Sequence, residues 1–196
     1  MRAVVVYESM FGNTHAIADA IGKGLGQGLE PVDRVVVVPV AEAGSERLGD
    51  ADLLVVAGPT HFHGMSRTRT RKWAVATAQN PKNDLVLDRD AQGPGVRDWL
   101  GSLGHGHTKF AAFDTRFKGP AVLRGRASRS ISRKLRSQGF EMVANPESFF
   151  VTLQNHLDPG EEARAQEWGN RLAASVLSSG ATNADRPRRP PTSKET

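Results

Sequence analysis

The sequence predicts an α/β fold of the doubly wound kind, a parallel sheet with helices on both faces, and three observations carry that expectation. Apolar runs rich in valine lie at residues 4–7, 35–38 and 52–58. After Asp52, which opens the third, they are continuously apolar rather than alternating, as strands buried on both faces are. Stretches with helical or turn character separate them, so strand and helix alternate. Small, hydroxylated and glycine residues collect directly after the first and third runs, where open α/β sheets place their binding crevice. A chain of 196 residues suffices for one such domain with a sizeable core and is too short for two full ones.

The first strand passes into Ser9, Met10, Phe11, Gly12, Asn13 and Thr14, after which Ile17, Ala18, Ala20, Ile21 and Leu25 repeat at helical spacing. The chain therefore turns from strand to helix between Gly12, which is free to take positive φ, and the cap at Thr14. Unpaired N–H groups and the positive end of the helix dipole converge there, a setting that holds a phosphate dianion without a lysine. Spacing excludes two other glycine motifs, since no G-x-x-x-x-G-K-S/T occurs and no G-x-G-x-x-G follows the strand. Gly24, Gly26 and Gly28 are expected to end helical order, with the second strand running through residues 35–38 and a short helix or turn over 41–50. The third strand ends in Gly58, Pro59, Thr60, His61, Phe62, His63 and Gly64. His61 and His63 form an H-x-H pair with no third ligand in a readable motif, so a metal is not expected.

Residues 66–78 read as a capped helix anchored by Trp73 and Val75. Residues 79–95, interrupted by Asn, Gly and Pro, read as a flexible excursion, and residues 96–103 as a short amphipathic helix. The fourth strand, residues 110–113, is followed by Asp114, Thr115, Arg116 and Phe117. Residues 128–138 form a helix with Ile131 and Leu135 inward and Arg129, Arg133, Lys134 and Arg136 outward, ended by Gly139. A fifth strand begins at 140–143 and resumes after a break at 146–152. The last helix opens at 159–162 and buries Ala165, Trp168, Leu172, Ala173, Val176 and Leu177. The domain is expected to span residues 1–177, with an insertion at about 67–104, and residues 178–196, where apolar content vanishes, to be a disordered basic tail.

Ser9, Gly12, Asn13 and Thr14 after the first strand, with G-P-T-x-x-x-G at residues 58–64 after the third, resemble the flavodoxin-like family. The resemblance runs from Met1 to about Leu177. It departs at Phe11, where the family often has a threonine, and after the fourth strand, where the usual tyrosine is absent, the only one being Tyr7. The resemblance implies a three-layer α/β sandwich with a five-stranded parallel sheet of order 2-1-3-4-5, and FMN as cofactor. The FMN phosphate falls to Ser9, Met10, Phe11, Gly12, Asn13 and Thr14. The ring lies along Pro59, Thr60, His61, Phe62, His63 and Gly64, with Phe62 or His61 stacked on it, and Asp114, Thr115, Arg116 and Phe117 close its other side, Phe117 replacing the tyrosine. The implied function is an FMN-binding electron carrier or a component of a flavin-dependent redox reaction, in which the cofactor supplies the chemistry. No catalytic acid, base or nucleophile is legible. The alternatives are a flavin-dependent reductase of quinone-like acceptors and a flavin-free module that binds anions or nucleic acid.

Lys and Arg number 26 against 21 Asp and Glu, a net charge of +5, and the pI is about 10.0. Residues 109–138 hold nine cations and one acid, Asp114, a basic face suited to acidic redox partners. Aromatic residues are not interleaved through it and no nucleic-acid motif appears, so nucleic acid is not the expected partner. Arg116, Lys118 and Arg124 near the ring are expected to make the reduced, anionic flavin less disfavoured than on an acidic relative. With no cysteine there is no disulfide and no thiolate, and any redox chemistry must come from a cofactor. No stretch has signal-peptide form and no window reaches the ~18 apolar residues of a membrane helix. A soluble, cytoplasmic protein with no membrane contact is expected.

Overall fold

Val4, Val5 and Val6 have no exposed surface, and the alternation of a strand sends them to opposite sides. Val5 joins one apolar core, with Ile17, Ile21, Trp168 and Leu172, while Val4 and Val6 join another, with Val96, Leu100, Ile131 and Leu135. A strand with a core on each face sits in the middle of a three-layer sandwich. The structure, a computed structural model, describes residues 1–28, 34–61, 64–119 and 125–184.

The strands are β1 (Ala3–Tyr7), β2 (Val35–Pro39), β3 (Leu53–His61), β4 (Gly64–Met65), β5 (Lys109–Phe117), β6 (Glu141–Met142) and β7 (Glu147–Val151). The helices are α1 (Asn13–Gly28), α2 (Ser45–Leu48), α3 (Thr68–Ala78), α4 (Val96–Ser102), α5 (Ala127–Ser137) and α6 (Glu161–Ala184). The sheet runs β2-β1-β3-β5-β6, and β7 takes up the pairing with β5 where β6 leaves off. β6 pairs Lys109–Phe110 and β7 pairs Phe113–Phe117, so one strand interrupted over residues 143–146 fills the fifth position, as the expected break between 140–143 and 146–152 anticipates. The chain is thus α/β with the sheet order anticipated, 2-1-3-4-5 in the five-strand count. All pairings are parallel except β4, which folds back on β3 with Thr60 opposite Met65 and His61 opposite Gly64.

α1 and α6 cover one face, and α4 and α5 the other. Three expectations are corrected here. The glycines of α1 do not break it: the helix runs unbroken to Gly28. A Cβ on Gly24 would meet the Gln166 carbonyl, and one on Gly169 the Ile21 carbonyl. These glycines therefore let α1 and α6 approach backbone to backbone, a packing gain that outweighs a propensity cost of about 1 kcal/mol per residue. Trp73 does not anchor α3. It is 61% exposed, and Ala74 is the residue that α3 buries. Finally, α6 extends through residues 178–184, where a disordered tail was expected, since a nucleated helix gains one hydrogen bond per added residue. Residues 185–196 lie outside the described residues. No helix among the described residues is long and apolar enough to cross a membrane.

Candidate functional site

The carboxyl ends of β1, β3, β5 and β7 open onto one crevice of about 560 Å³, within the few hundred to ~1,000 Å³ typical of small-molecule sites. Its floor is the turn between β1 and α1. Gly12 takes φ +85, which carries the chain round into the helix. The Ser9 hydroxyl oxygen accepts the Gly12 N–H at 3.1 Å and closes that turn, which leaves its own proton to give. The first-turn amides of α1, at Asn13, Thr14 and His15, have no acceptor within the helix. Ser9, Met10, Phe11, Asn13 and Thr14 all line the crevice, so this helix end faces it.

Two long-range contacts fix that floor. Thr14 Oγ1 and Thr115 Oγ1 are 2.7 Å apart; a single shared proton joins them, so the pair still has one proton to donate outward. The Asn13 side-chain amide donates to the Asn155 carbonyl at 2.9 Å and to its Oδ1 at 3.2 Å. Asn155 sits at φ 63, a conformation that Asn tolerates well. The backbone N–H of Asp88 donates to the Met10 carbonyl at 2.9 Å, and Asp88 Oδ2 lies 3.2 Å from His15 Nδ1. The 79–95 excursion is therefore tied down on the same turn.

Pro59, Thr60 and His61 from β3, Trp73 and Thr77 from α3, Asn83 and Leu85 from the excursion, Thr115 to Phe117 from β5 and residues 151 and 153–155 form the walls. The Thr60 hydroxyl oxygen accepts the Ala127 N–H at the start of α5, 2.9 Å away, and its proton remains to donate. Burial, with Arg71 adding to it, holds the His61 imidazole below the usual range, so the ring is neutral at pH 7. Arg116 is buried, its guanidinium donating to the carbonyls of Phe117 and Gly119 at 3.3 and 3.0 Å and lying 4.9 Å from the Phe150 ring centre. Among the described residues lining the crevice there is no Asp or Glu.

Glu8 and Asp114, each next in sequence to a lining residue, do not themselves line the crevice. Glu8 is buried, and its Oε2 accepts the Val96 N–H at the start of α4, 2.8 Å away. Burial raises its pKa above the usual carboxylate range, against the lowering effect of the Ser66 hydroxyl, the Val96 amide and Arg71. Asp114 is likewise buried, its Oδ2 accepting the Ser128 N–H at 2.8 Å, and desolvation raises its pKa. Tyr7 is buried with its ring stacked on His15, centroids 4.5 Å apart, and burial pushes its pKa up to about 12. Among the described residues there is no cluster of three metal-ligating side chains.

Of the residues singled out in the sequence, Ser9, Met10, Phe11, Asn13, Thr14, Pro59, Thr60, His61, Thr115, Arg116 and Phe117 meet in this one space. Gly12 shapes its floor. Asp114 does not reach it: residues 114–117 continue β5 instead of forming a loop, so alternation turns Asp114 toward α5. Gly64 pairs with His61 in β4, and a Cβ there would face Ser130 rather than the crevice. Phe62, His63 and Arg124 lie outside the described residues. Lys118 is committed to Asp158 at 2.6 Å. Sequence reasoning missed Trp73 and the turn at 152–155. No sequence signal marked Trp73, because only the fold shows which way α3 turns it; the polar Gln154-Asn155 pair after the fifth strand was the signal for the turn.

Solved structures share this architecture. A flavodoxin from the domain Archaea matches with a TM-score of 0.60 at 20% identity, over 90% of this chain and 99% of its own. Oxidised flavodoxin 1 from Bacillus cereus matches at 0.56 and 16% identity, over 91% and 98%. The flavodiiron protein from Giardia intestinalis matches at 0.57 and 20% identity, covering 93% of this chain and 37% of that longer one. No family model and no curated protein matches the sequence. What is shared at such identities is the arrangement of sheet and helices.

Proposed function

We propose, from the premise that this chain has a flavodoxin-like fold, that the crevice binds FMN and that the protein is a flavin-binding redox module acting as an electron carrier. The observation that carries the reading is the composition of the crevice. One end is a helix N-terminus with spare hydroxyl protons, the other is flanked by two large aromatic side chains, and no described carboxylate lines the space between. A phosphate dianion needs converging N–H and O–H donors, which Ser9, Thr14 and the first-turn amides of Asn13, Thr14 and His15 supply. A flat heteroaromatic ring needs an apolar slot with polar groups at its edge; Trp73 and Phe117 supply faces, Thr60 and Thr115 hydroxyls the edge. His61, neutral, adds surface without charge.

FMN, when bound, supplies one- and two-electron transfer. The chain's residues bind the phosphate, hold the ring against Pro59 and Thr60, and set the local charge. Among the described residues lining the crevice Arg116 is the cation, and it favours a negatively charged ring over a neutral one. An equilibrium titration of FMN fluorescence against the purified protein tests the reading: quenching that saturates near one equivalent supports it, and unaltered fluorescence at a large protein excess refutes it. Trp73 and Leu153 line the crevice and are exposed, which favours a second reading, a reductase of small planar acceptors. NADH oxidation by the isolated protein in the presence of a quinone tests that reading.

A further inference from the structure

Three of the five large, exposed apolar side chains among the described residues line the crevice, and a fourth adjoins a lining residue in sequence. Trp73 (61% exposed), Phe117 (38%) and Leu153 (78%) line the crevice, and Val86 (81%) follows Leu85, which lines it too. They come from α3, the end of β5, the excursion and the turn after β7. Single exposed apolar residues are ordinary; three converging from three segments on one opening form a patch of the kind that marks an interaction surface. Exposed cations lie on two of the segments that supply it. Arg69 lies one turn before Trp73 on the same row of α3, and Lys72 and Lys82 are exposed nearby. Asp84 is the exposed acid in that part of the excursion.

We infer that this mouth, rather than the outer face of α5, is the docking face for an acidic electron-transfer protein whose contact surface is apolar at its centre and carboxylate-bearing at its rim. The inference rests on the FMN reading of the crevice, because electron exchange requires close approach to the ring at its open edge. Charge complementarity selects the occupant. A second copy of this chain, at net +5, would bring one set of cations against another. A nucleic acid would leave Val86 and Leu153 without a use, since stacking of bases needs flat rings.

The test uses cytochrome c as electron acceptor, once with its basic lysine surface intact and once after succinylation has made that surface acidic. With the full chain loaded with FMN and photoreduced, FMNH⁻ returns to FMN and one proton as two ferric haems become ferrous. The acidic form should be reduced at least ~10-fold faster than the basic one at ~10 mM ionic strength, the ratio shrinking toward one as salt shortens the Debye length from about 30 Å to a few ångströms. Arg69→Glu with Lys72→Glu should reverse the preference while FMN affinity stays unchanged. Val86→Ser should slow the reaction several-fold at high salt, where apolar contact dominates. Equal rates for the two forms overturn the inference. So does a preference that survives the double variant, which moves steering to α5. An oligo-dT that binds at ~0.15 M salt, loses affinity in the double variant and competes with cytochrome reduction assigns the face to nucleic acid instead. A chain that takes up no FMN fails at the spectrum, before cytochrome is added, and removes the cofactor reading and this inference together.

Discussion

The two ends of the crevice are built in opposite ways. The phosphate end comes from six consecutive residues, Ser9 to Thr14, whose geometry is set by one positive-φ glycine and one helix start. The ring end draws two or three residues each from β3, α3, the excursion, β5 and the turn after β7. Short-range construction puts the donors where the backbone must place them, so their position depends little on the rest of the molecule. Long-range construction depends on every packing contact that fixes those five segments, and it can vary while the fold persists.

That contrast sets the expected sizes of substitutions. Gly12→Val, which forces a β-branched residue to φ +85, should cost about 1–3 kcal/mol of backbone strain. It should weaken FMN by roughly 100-fold, since each 1.4 kcal/mol is tenfold; fluorescence titration and thermal melting measure the two effects. If riboflavin affinity falls equally, the loop does not act on the phosphate. Arg116→Gln should shift the balance between oxidised and reduced FMN, weakening the reduced form about tenfold relative to the oxidised one, equivalent to a potential about 60 mV more negative for a one-electron step. Arg116→Lys should recover much of it. An anaerobic redox titration with no shift would show that the charge of this wall does not reach the ring.

Trp73→Ala should lower FMN affinity about 3–10-fold through lost stacking, with a stability change within about 0.5 kcal/mol, because the indole is largely exposed. A large loss of melting temperature would contradict the placement of this side chain. The smallest effect concerns Glu8. Its folded pKa is raised by burial, so its contribution to stability is present below the unfolded pKa and is lost as pH rises through the folded one. Glu8→Gln, which keeps an acceptor for the Val96 N–H, should therefore gain stability relative to the parent as pH rises above the ordinary carboxylate range. Parallel melts whose difference does not change with pH would show that this carboxylate is not desolvated.

The same contrast explains what was legible in the sequence. Strands whose residues are apolar on both faces, and the turn into α1, depend on neighbours in the chain, so Val4 to Thr14 could be read directly. The sheet order followed from short connections and the resemblance. Gly24 and Gly28 read as helix breakers because their partners, Gln166 and Asn170 to Ala173 of α6, lie some 140 residues away. Trp73 read as an anchor because aromatic residues usually are, and only the fold shows that α3 turns it outward. Asp114 read as a loop residue because β5 runs four residues past its apolar stretch, held by the register with β7. The brace between Asn13 and Asn155 has a sequence separation of 142, and no local pattern announces it.

The most direct test of the account compares FMN with riboflavin, which lacks the phosphate, in the parent protein and in Gly12→Val and Trp73→Ala. If the turn from Ser9 to Thr14 holds the phosphate and the other segments hold the ring, FMN should bind about 100-fold tighter than riboflavin. Gly12→Val should erase that ratio, and Trp73→Ala should weaken both ligands equally. Equal affinity for the two flavins in the parent, or no binding of either, would contradict it.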